Sequence, residues 1–250
     1  TNTPRLKHAT VEVQLRQSVC SKITNFVKMG MLDIHILLQT ILYFCAFISG
    51  FLISIPVGVN LINFQGHCIL YSEIKWESQT FFYLLPSKDS NCNFSIYLSV
   101  VCILYDLGMS VYHGYAFYKS TKDPTMRSQM WVMPFIVLNA MVTLLILVSS
   151  CMISVGFSKL CEGLEKHGDS CNSFENVAWI NLKDNTPFHP GSYYKLLTIA
   201  QFASWTSFLI WLCQVVLGIV RLVSNRRQRS QSTKLSANSP KSVVTIEQAV

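Results

Sequence analysis

The chain has 250 residues, of which 50% are hydrophobic and only 13% are charged. A soluble domain normally carries about a quarter charged residues, and here the apolar residues form long blocks that match the thickness of a bilayer. The net charge of +7 does not indicate nucleic-acid binding, because the basic residues flank apolar blocks and are not interleaved with aromatic residues.

The polar segment of residues 1–33 lacks a signal-peptide pattern, since no apolar region is followed by a small-residue cleavage site. The chain begins at Thr1, and Met29 and Met31 stand just before the first apolar block. One interpretation is that the chain is a fragment or a processed product and that the residues before these methionines are a dispensable extension.

Four apolar blocks predict four transmembrane helices, at residues 34–59, 94–118, 131–157 and 196–222. Pro56 and Gly58 near the far end of the first block are tolerated in membrane helices, where neighbouring groups satisfy the freed backbone carbonyl. The predicted fold is an all-α membrane protein, a four-helix transmembrane bundle over residues 34–222, with no room for a separate soluble domain.

Three connections and a tail complete the chain. Residues 60–93 and 158–195 form two long loops, and residues 119–130 form a short link. The tail, residues 223–250, is polar and rich in Ser, Gln and Asn. Because it has too little apolar surface to fold alone, we expect it to be disordered.

The distribution of Lys and Arg predicts the orientation. The N-terminal segment, the short link and the tail, counted together with Arg221 at the end of the fourth block, carry fourteen of these residues, whereas the two long loops carry six. Positively charged loops stay on the cytosolic side. We therefore expect both termini in the cytosol and both long loops outside, in the plasma membrane or a membrane of the secretory pathway.

The nine cysteines test this orientation independently. Cys68 and Cys92 lie in the first long loop, Cys161 and Cys171 lie in the second, and only Cys20 lies on the predicted cytosolic side. Disulfides form outside the cell or in the lumen, so the cysteine positions agree with the charge distribution.

Four loop cysteines allow three pairings. We favour one disulfide within each loop, Cys68–Cys92 and Cys161–Cys171, each stabilising its loop by roughly 3 kcal/mol in the chain-entropy model. Free thiols and zinc ligands are the alternatives. Because zinc needs about four ligands at short spacings and the loop histidines do not supply such a set, we expect no metal.

Several polar residues interrupt the apolar blocks. Asp106 lies near the middle of the second predicted span, and His113 follows two helical turns later on the same face. Asn139 and Gln201 lie in the third and fourth spans. A charge at that depth costs a few kcal/mol or more, so Asp106 must face the bundle interior or be neutral. A proton or ion path is one interpretation; we favour an interhelical hydrogen bond, because a single acid without an intramembrane Lys or Arg makes a poor path.

Small residues recur at a spacing of four in the first span, at Ala46, Gly50, Ser54 and Gly58. Such a stripe forms a groove that lets another helix approach closely. We favour packing within the bundle, and a lateral contact with a partner membrane protein is the alternative.

Asn93, Phe94 and Ser95 form a glycosylation acceptor motif. The motif abuts the second predicted span, too close to the membrane for easy modification, so we expect low occupancy at Asn93.

Signatures of enzymes are missing from the sequence. It contains no phosphate-cradling glycine loop, no Gly-x-Ser-x-Gly elbow and no His-Glu-x-x-His zinc motif. We therefore expect a protein that is not an enzyme, with no catalytic residues and no cofactor.

Three short runs carry a family resemblance: Phe-Gln-Gly-His-Cys-Ile-Leu-Tyr at residues 64–71, Ile-Ser-Val-Gly-Phe at 153–157, and Ile-Ala-Gln-Phe-Ala-Ser-Trp at 199–205. Together and in this order they resemble the transmembrane protein 179 family of four-span proteins, over about residues 32–222. This family has no established biochemical activity.

The layout is also similar to the broader claudin-like group, whose members have cytosolic termini, a disulfide in the first outer loop and adhesive or channel-modulating roles. Trp76 lies between Cys68 and Cys92, but the Gly-Leu-Trp run of claudins is absent and the cysteines are farther apart. The resemblance implies a small β-sheet in the first loop more than it implies paracellular sealing.

Our main functional hypothesis is a non-enzymatic tetraspan protein that acts through contacts with other membrane proteins and through its outer loops. The rival is a channel, a transporter or an auxiliary channel subunit that uses Asp106. In both cases the bilayer is the constant partner, and nucleic acid is not one.

Overall fold

A computed structural model of the chain describes residues 4–78, 81–122, 133–167 and 170–237. The helices and strands, in chain order, are α1 (Pro4–Asn63), β1 (Cys68–Trp76), β2 (Phe82–Ser87), α2 (Ser90–Lys122), α3 (Met133–Leu164), β3 (Trp179–Asn181), β4 (Pro187–Phe188) and α4 (Tyr193–Ala237). Two 3₁₀ turns, Glu165–His167 and Cys171–Asn176, lie between α3 and β3.

Four helices in the described ranges contain stretches long and apolar enough to cross a membrane: Ile34–Asn63, Ser90–Lys119, Met133–Leu164 and Tyr193–Arg227. Large apolar side chains on their outer faces stay exposed, such as Leu104 at 68% and Phe202 at 73%. That distribution fits helices whose surrounding solvent is lipid, which is as apolar as leucine. The predicted four-helix membrane fold is confirmed.

Helix bounds differ from the predicted spans at several ends. The first helix extends back to Pro4, and the fourth continues to Ala237, although the sequence predicts a disordered tail from residue 223. Once a helix is anchored in the bundle, each added residue gains a hydrogen bond without a new nucleation cost. The rest of the tail, residues 238–250, and residues 123–132 around the predicted link lie outside the described residues.

The helices pack as a bundle in which α1 contacts both α2 and α4, and α3 contacts α4. Because the helices alternate in direction, the end of α1, the start of α2, the end of α3 and the start of α4 meet on one side. All four strands lie on that side, which we call the sheet side. The opposite end, from which the chain termini extend, is the terminal side.

The strands form one mixed sheet in the order β1-β2-β3-β4. The outer pairs are antiparallel, and β2 pairs with β3 in parallel, with Tyr83 opposite Ile180. The claudin-like resemblance implied a sheet in the first loop; the structure adds β3 and β4 from the second. Since an isolated two-stranded hairpin is marginally stable in water, pairing across the loops gives the sheet the extra strands it needs.

The sheet rests directly on α3 through β1. A Cβ atom on Gly156 would lie 2.9 Å from the Leu70 Cβ and from the Tyr71 ring, so only glycine allows this approach. Tyr71 has a positive φ of 64°, at the irregularity between Cys68 and Glu73 where β1 departs from regular pairing with β2, as a bulged strand does. The Trp76 indole Nε1 donates a hydrogen bond to the Gly163 carbonyl at 3.0 Å.

Candidate functional site

Two disulfides fasten the sheet to the bundle. Cys68 pairs with Cys92, with their Cα atoms 5.7 Å apart, and Cys161 pairs with Cys171, with theirs 5.1 Å apart. The first bond joins the start of β1 to the start of α2, and the second joins the end of α3 to the second 3₁₀ turn, Cys171–Asn176. The structure therefore contains both pairs favoured from the sequence.

An aromatic core fills the space beneath the sheet. Trp179 has no exposed surface, contacts Phe64, Phe82 and Tyr193 edge to face, and donates from its indole Nε1 to the Phe174 carbonyl at 3.0 Å. Edge-to-face aromatic pairs each add about 0.5–1.5 kcal/mol beyond area burial. The sheet, the loops and the bundle ends thus form one tightly packed unit.

The outer sheet face consists of Glu73, Lys75, Tyr83, Leu85 and Ile180. The strand register places Glu73 opposite Leu85 and Lys75 opposite Tyr83. The charged residues are exposed, and the three apolar or aromatic ones are half-buried. The hydrogen bond that the Tyr83 hydroxyl donates to the Glu77 carboxylate raises the pKa of Tyr83, with smaller contributions from burial and from the negative charge of Glu77. This face therefore presents neutral apolar groups flanked by one charge of each sign.

The small-residue groove of α1 is partly filled from within the bundle. Ala46 and Gly50 are buried, and a Cβ atom on Gly50 would lie 2.5 Å from the Ile103 Cγ1 of α2. The Ser54 hydroxyl donates back to the Gly50 carbonyl at 2.9 Å. Gly58 is half-buried, and nothing lies within 4 Å of a Cβ built on it. The two ends of the groove therefore differ: α2 covers Gly50, whereas Gly58 is open.

Polar side chains from all four helices meet on the terminal side of the bundle. We call this group the inner polar cluster; it comprises Gln39, Tyr43, Tyr105, Asp106, His113, Asn139, Trp211, Gln214 and Arg221. On α2, Cys102 and Met109, one turn to either side of Asp106, belong to the same buried hydrophobic cluster as Tyr43 and Trp211.

Asn139 is the centre of the hydrogen bonding in this cluster. Its Nδ2 donates to the Tyr43 hydroxyl at 2.7 Å, and its Oδ1 accepts from the Tyr105 hydroxyl at 2.9 Å. The Tyr43 ring stacks on His113 with centroids 5.4 Å apart and meets Trp211 edge to face at 6.3 Å. One amide thus ties α3 to both α1 and α2.

A second set of bonds joins α1 to α4 nearer the terminal side. Arg221 Nη1 donates to Gln39 Oε1 at 3.3 Å, and Gln214 Nε2 donates to the Gln39 carbonyl at 3.2 Å. Arg221 is only 3% exposed. By its place in the sequence Arg221 belongs with the charges of the tail, yet it lies inside the bundle, so the bundle holds a basic side chain as well as Asp106.

Some buried atoms of the cluster have no hydrogen-bond partner within the described part of the chain. They are both carboxyl oxygens of Asp106, the His113 Nδ1, the Trp211 Nε1 and the Gln214 Oε1. Asp106, Trp211 and Gln214 have no exposed surface. Because buried polar groups in native proteins nearly always have partners, these atoms need hydrogen-bond partners that the described side chains do not supply.

The other predicted site residues lie apart from this cluster. Gln201 is half-buried and lies more than two helical turns before Trp211, toward the sheet side. Asn93 is half-buried in the first turn of α2, and its motif partner Ser95 is fully buried, where its hydroxyl accepts a hydrogen bond from Ser149 at 2.9 Å. Modification of Asn93 remains an unfavoured prediction.

Gln39, Asn139, Gln214 and Arg221 complete the cluster around the predicted Asp106 and His113. Gln39 and Asn139 are visible in the sequence as polar residues in apolar blocks, whereas Arg221 is hidden among the basic residues that flank the tail. Across the described ranges, His, Cys, Asp and Glu side chains do not gather into groups of three that could hold a metal ion.

Comparison with known proteins gives a family match over most of the chain. The model of the transmembrane protein 179/179B claudin domain matches residues 35–243. The chain is also similar to proteins described as transmembrane protein 179B. The Danio rerio protein is 25% identical to it over 189 residues, which cover 74% of this chain and 83% of that protein. The Homo sapiens protein is 25% identical over 185 residues, covering 72% of this chain and 80% of that protein.

No solved structure matches the chain. The family model covers nearly all of the four membrane spans, both disulfides and the mixed sheet, and at its C-terminal end it extends beyond residue 222, where the resemblance in the sequence ended. The chain therefore belongs to the transmembrane protein 179/179B claudin-domain family of multi-pass membrane proteins.

Proposed function

We propose that this protein is a non-enzymatic tetraspan protein that presents its sheet as a rigid contact surface for another membrane protein. The observation that carries this proposal is the sheet built from both loops, fastened by two disulfides and packed on α3. A surface held this firmly loses little conformational entropy on binding. Its half-buried Tyr83, Leu85 and Ile180 supply apolar area between Glu73 and Lys75.

We further propose that the sheet faces the cell exterior or the lumen and that both termini are cytosolic. The excess of Lys and Arg outside the two loops and the disulfides within them support this orientation. The plasma membrane and the membranes of the secretory pathway both provide the oxidising side that the disulfides need.

Crosslinking in native membranes tests the contact surface. The variant Leu85→Glu places a charge in the outer sheet face, and Lys88→Glu is the control because Lys88 is exposed just beyond β2. We expect the wild type and Lys88→Glu to crosslink the same membrane protein and Leu85→Glu to lose it. No reproducible partner for the wild type, or equal capture by Leu85→Glu, would contradict the proposal.

A channel or transporter that uses Asp106 is the second candidate. One observation favours it: Asp106 is fully buried in a cluster to which all four helices contribute, and neither of its carboxyl oxygens has a hydrogen-bond partner among the described residues. Intramembrane ionisable residues often mark ion or proton pathways. In reconstituted vesicles, Asp106→Asn should abolish flux and the lipid-facing Leu107→Asn should retain it; flux that survives Asp106→Asn removes this candidate.

A further inference from the structure

The inner polar cluster occupies only one half of the bundle. Gln39, His113 and Arg221 lie between one and two helical turns inside the terminal-side ends of their spans, and Asp106 and Trp211 lie deeper. His35 is half-buried one turn before Gln39, and its Nδ1 has no hydrogen-bond partner within the described residues. It lies closer to the terminal side than the rest of the cluster on α1. Polar character therefore continues from the middle of the bundle toward the terminal side.

The sheet-side half has a different character. Ile53, Val57, Ile153, Phe157 and Leu197 form part of one buried apolar core there. Buried serines at the boundary are satisfied, as in the Ser149 bond to Ser95 at 2.9 Å. Asn60 is a separate buried polar group near the sheet, and its side-chain atoms have no hydrogen-bond partner in the described part of the chain. Ile53 and Val57 lie between it and the cluster along α1. The buried polar residues of the terminal-side half thus end at the apolar core of the sheet-side half.

The chemistry of the unpartnered atoms identifies the occupant. Asp106 and Gln214 offer acceptors, whereas the Trp211 indole N–H can only donate. A cation would satisfy the acceptors and not the indole, and the buried Arg221 guanidinium in the same cluster also disfavours one. Water both donates and accepts, and a buried water typically makes about three hydrogen bonds.

We propose that the inner polar cluster is a binding pocket for ordered water that opens toward the terminal side and is closed toward the sheet. In this structure the pocket ends at the apolar core of the sheet-side half. It would hold water whether or not the protein moves ions, so its test is separate from the flux measurement and from the search for a partner of the sheet.

The chain provides a matched pair of reporters. Trp211 and Trp179 both have no exposed surface. The Trp211 Nε1 is unpartnered in the described structure, whereas the Trp179 Nε1 donates to the Phe174 carbonyl. X-ray radiolysis turns bound water into hydroxyl radicals that oxidise the nearest side chains. The full-length protein in nanodiscs, equilibrated in heavy-oxygen water, would reveal such oxidation by mass spectrometry.

We expect heavy oxygen to enter Trp211 and Met109 several-fold faster than Trp179 and Phe157. Equal, slow labelling of Trp211 and Trp179 would overturn the proposal, because it would show a dry cluster. Fast labelling of Phe157 as well would overturn the closed end and indicate a water path through the bundle. Dependence of Trp211 labelling on the identity of the buffer cation would overturn the choice of water as occupant.

Two variants separate the pocket from general looseness of the fold. Asp106→Leu removes two acceptors, so Trp211 labelling should fall toward the Trp179 rate. Asp106→Asn keeps a polar group of the same shape, so labelling should persist. If Trp211 is labelled at the same rate in Asp106→Leu as in the wild type, the assignment of Asp106 to the pocket is overturned. Slow labelling of Trp179 in each variant is the internal control that the fold is intact.

Discussion

Asn139 joins three helices through one side chain. It lies on α3 and binds the hydroxyls of Tyr43 on α1 and Tyr105 on α2. Helices in a bilayer gain no hydrophobic energy by associating, because lipid tails are as apolar as their side chains. Buried bonds of this kind therefore contribute to which helices meet and in which register.

Replacing Asn139 by Leu should lower the stability of the bundle. Interhelical hydrogen bonds in membranes average about 0.6 kcal/mol and reach about 1.7 kcal/mol, so losing two should cost roughly 1–3 kcal/mol. Thermal unfolding in detergent would measure the change. The control is Leu138→Ala, since Leu138 is 48% exposed toward lipid; equal stability of the two variants would contradict the bridging role of Asn139.

Gly50 and Gly58 allow a matched test of the small-residue groove. Gly50→Ala should destabilise the protein by about 1–3 kcal/mol, because its new methyl group overlaps Ile103. Gly58→Ala meets nothing within 4 Å and should leave unfolding unchanged or slightly improved. Combining Gly50→Ala with Ile103→Ala should restore part of the loss, and similar unfolding temperatures for both single variants would contradict this packing.

At the level of elements, the sheet depends on the helices that carry it. The β1–β2 pair comes from one loop and the β3–β4 pair from the other, and the parallel β2–β3 pairing joins them. Gly156 lets β1 lie on α3, and Cys92 holds the start of β1 against α2. Because each strand pair is short, its ordered conformation depends on attachment to the bundle and not on the hydrogen bonds of the pair alone.

Removing the Cys68–Cys92 bond should therefore loosen the sheet more than the helices. The bond closes a sequence separation of 24 residues, for which the chain-entropy model gives about 3 kcal/mol. The double variant Cys68→Ser with Cys92→Ser should show faster amide exchange in β1 and β2 and little change in α3. Unchanged exchange in the strands would contradict the stabilising role, and the lipid-facing Cys213→Ser is the control.

For the whole molecule, the two ends of the bundle differ in chemistry. The sheet side has disulfides and an aromatic core, and the terminal side has the inner polar cluster and a helix that continues to Ala237. Such an asymmetric molecule has a defined direction in the membrane. The charge distribution and the disulfides favour the direction in which the sheet faces the oxidising compartment.

Epitope tags test this orientation in intact cells. A tag after Val250 should bind antibody only after the plasma membrane is permeabilised, because we expect the tail in the cytosol. A tag at Asp184, in the exposed turn between β3 and β4, should be reached without permeabilising if the protein is at the cell surface, or protected inside vesicles if it is in the secretory pathway. The reverse pattern at both tags would contradict the orientation.

Hydropathy alone predicts the four membrane helices, because about 20 consecutive apolar residues leave the backbone few other ways to satisfy its hydrogen bonds in lipid. The sequence also favours the two disulfides, since Cys68 and Cys92 share one loop and Cys161 and Cys171 share the other. Asp106 and His113 were visible as polar residues in an apolar block, two turns apart on one face.

The surroundings of those residues depend on the packing of the helices, which the sequence does not reveal. Arg221 reads as a tail charge in the sequence, yet packing of α4 against α1 places it beside Gln39. The sheet draws strands from two loops separated by two helices, and no local pattern encodes that pairing of Tyr83 with Ile180. Contacts between distant segments depend on how the helices pack, which is why local periodicity predicted the helices and not the cluster between them.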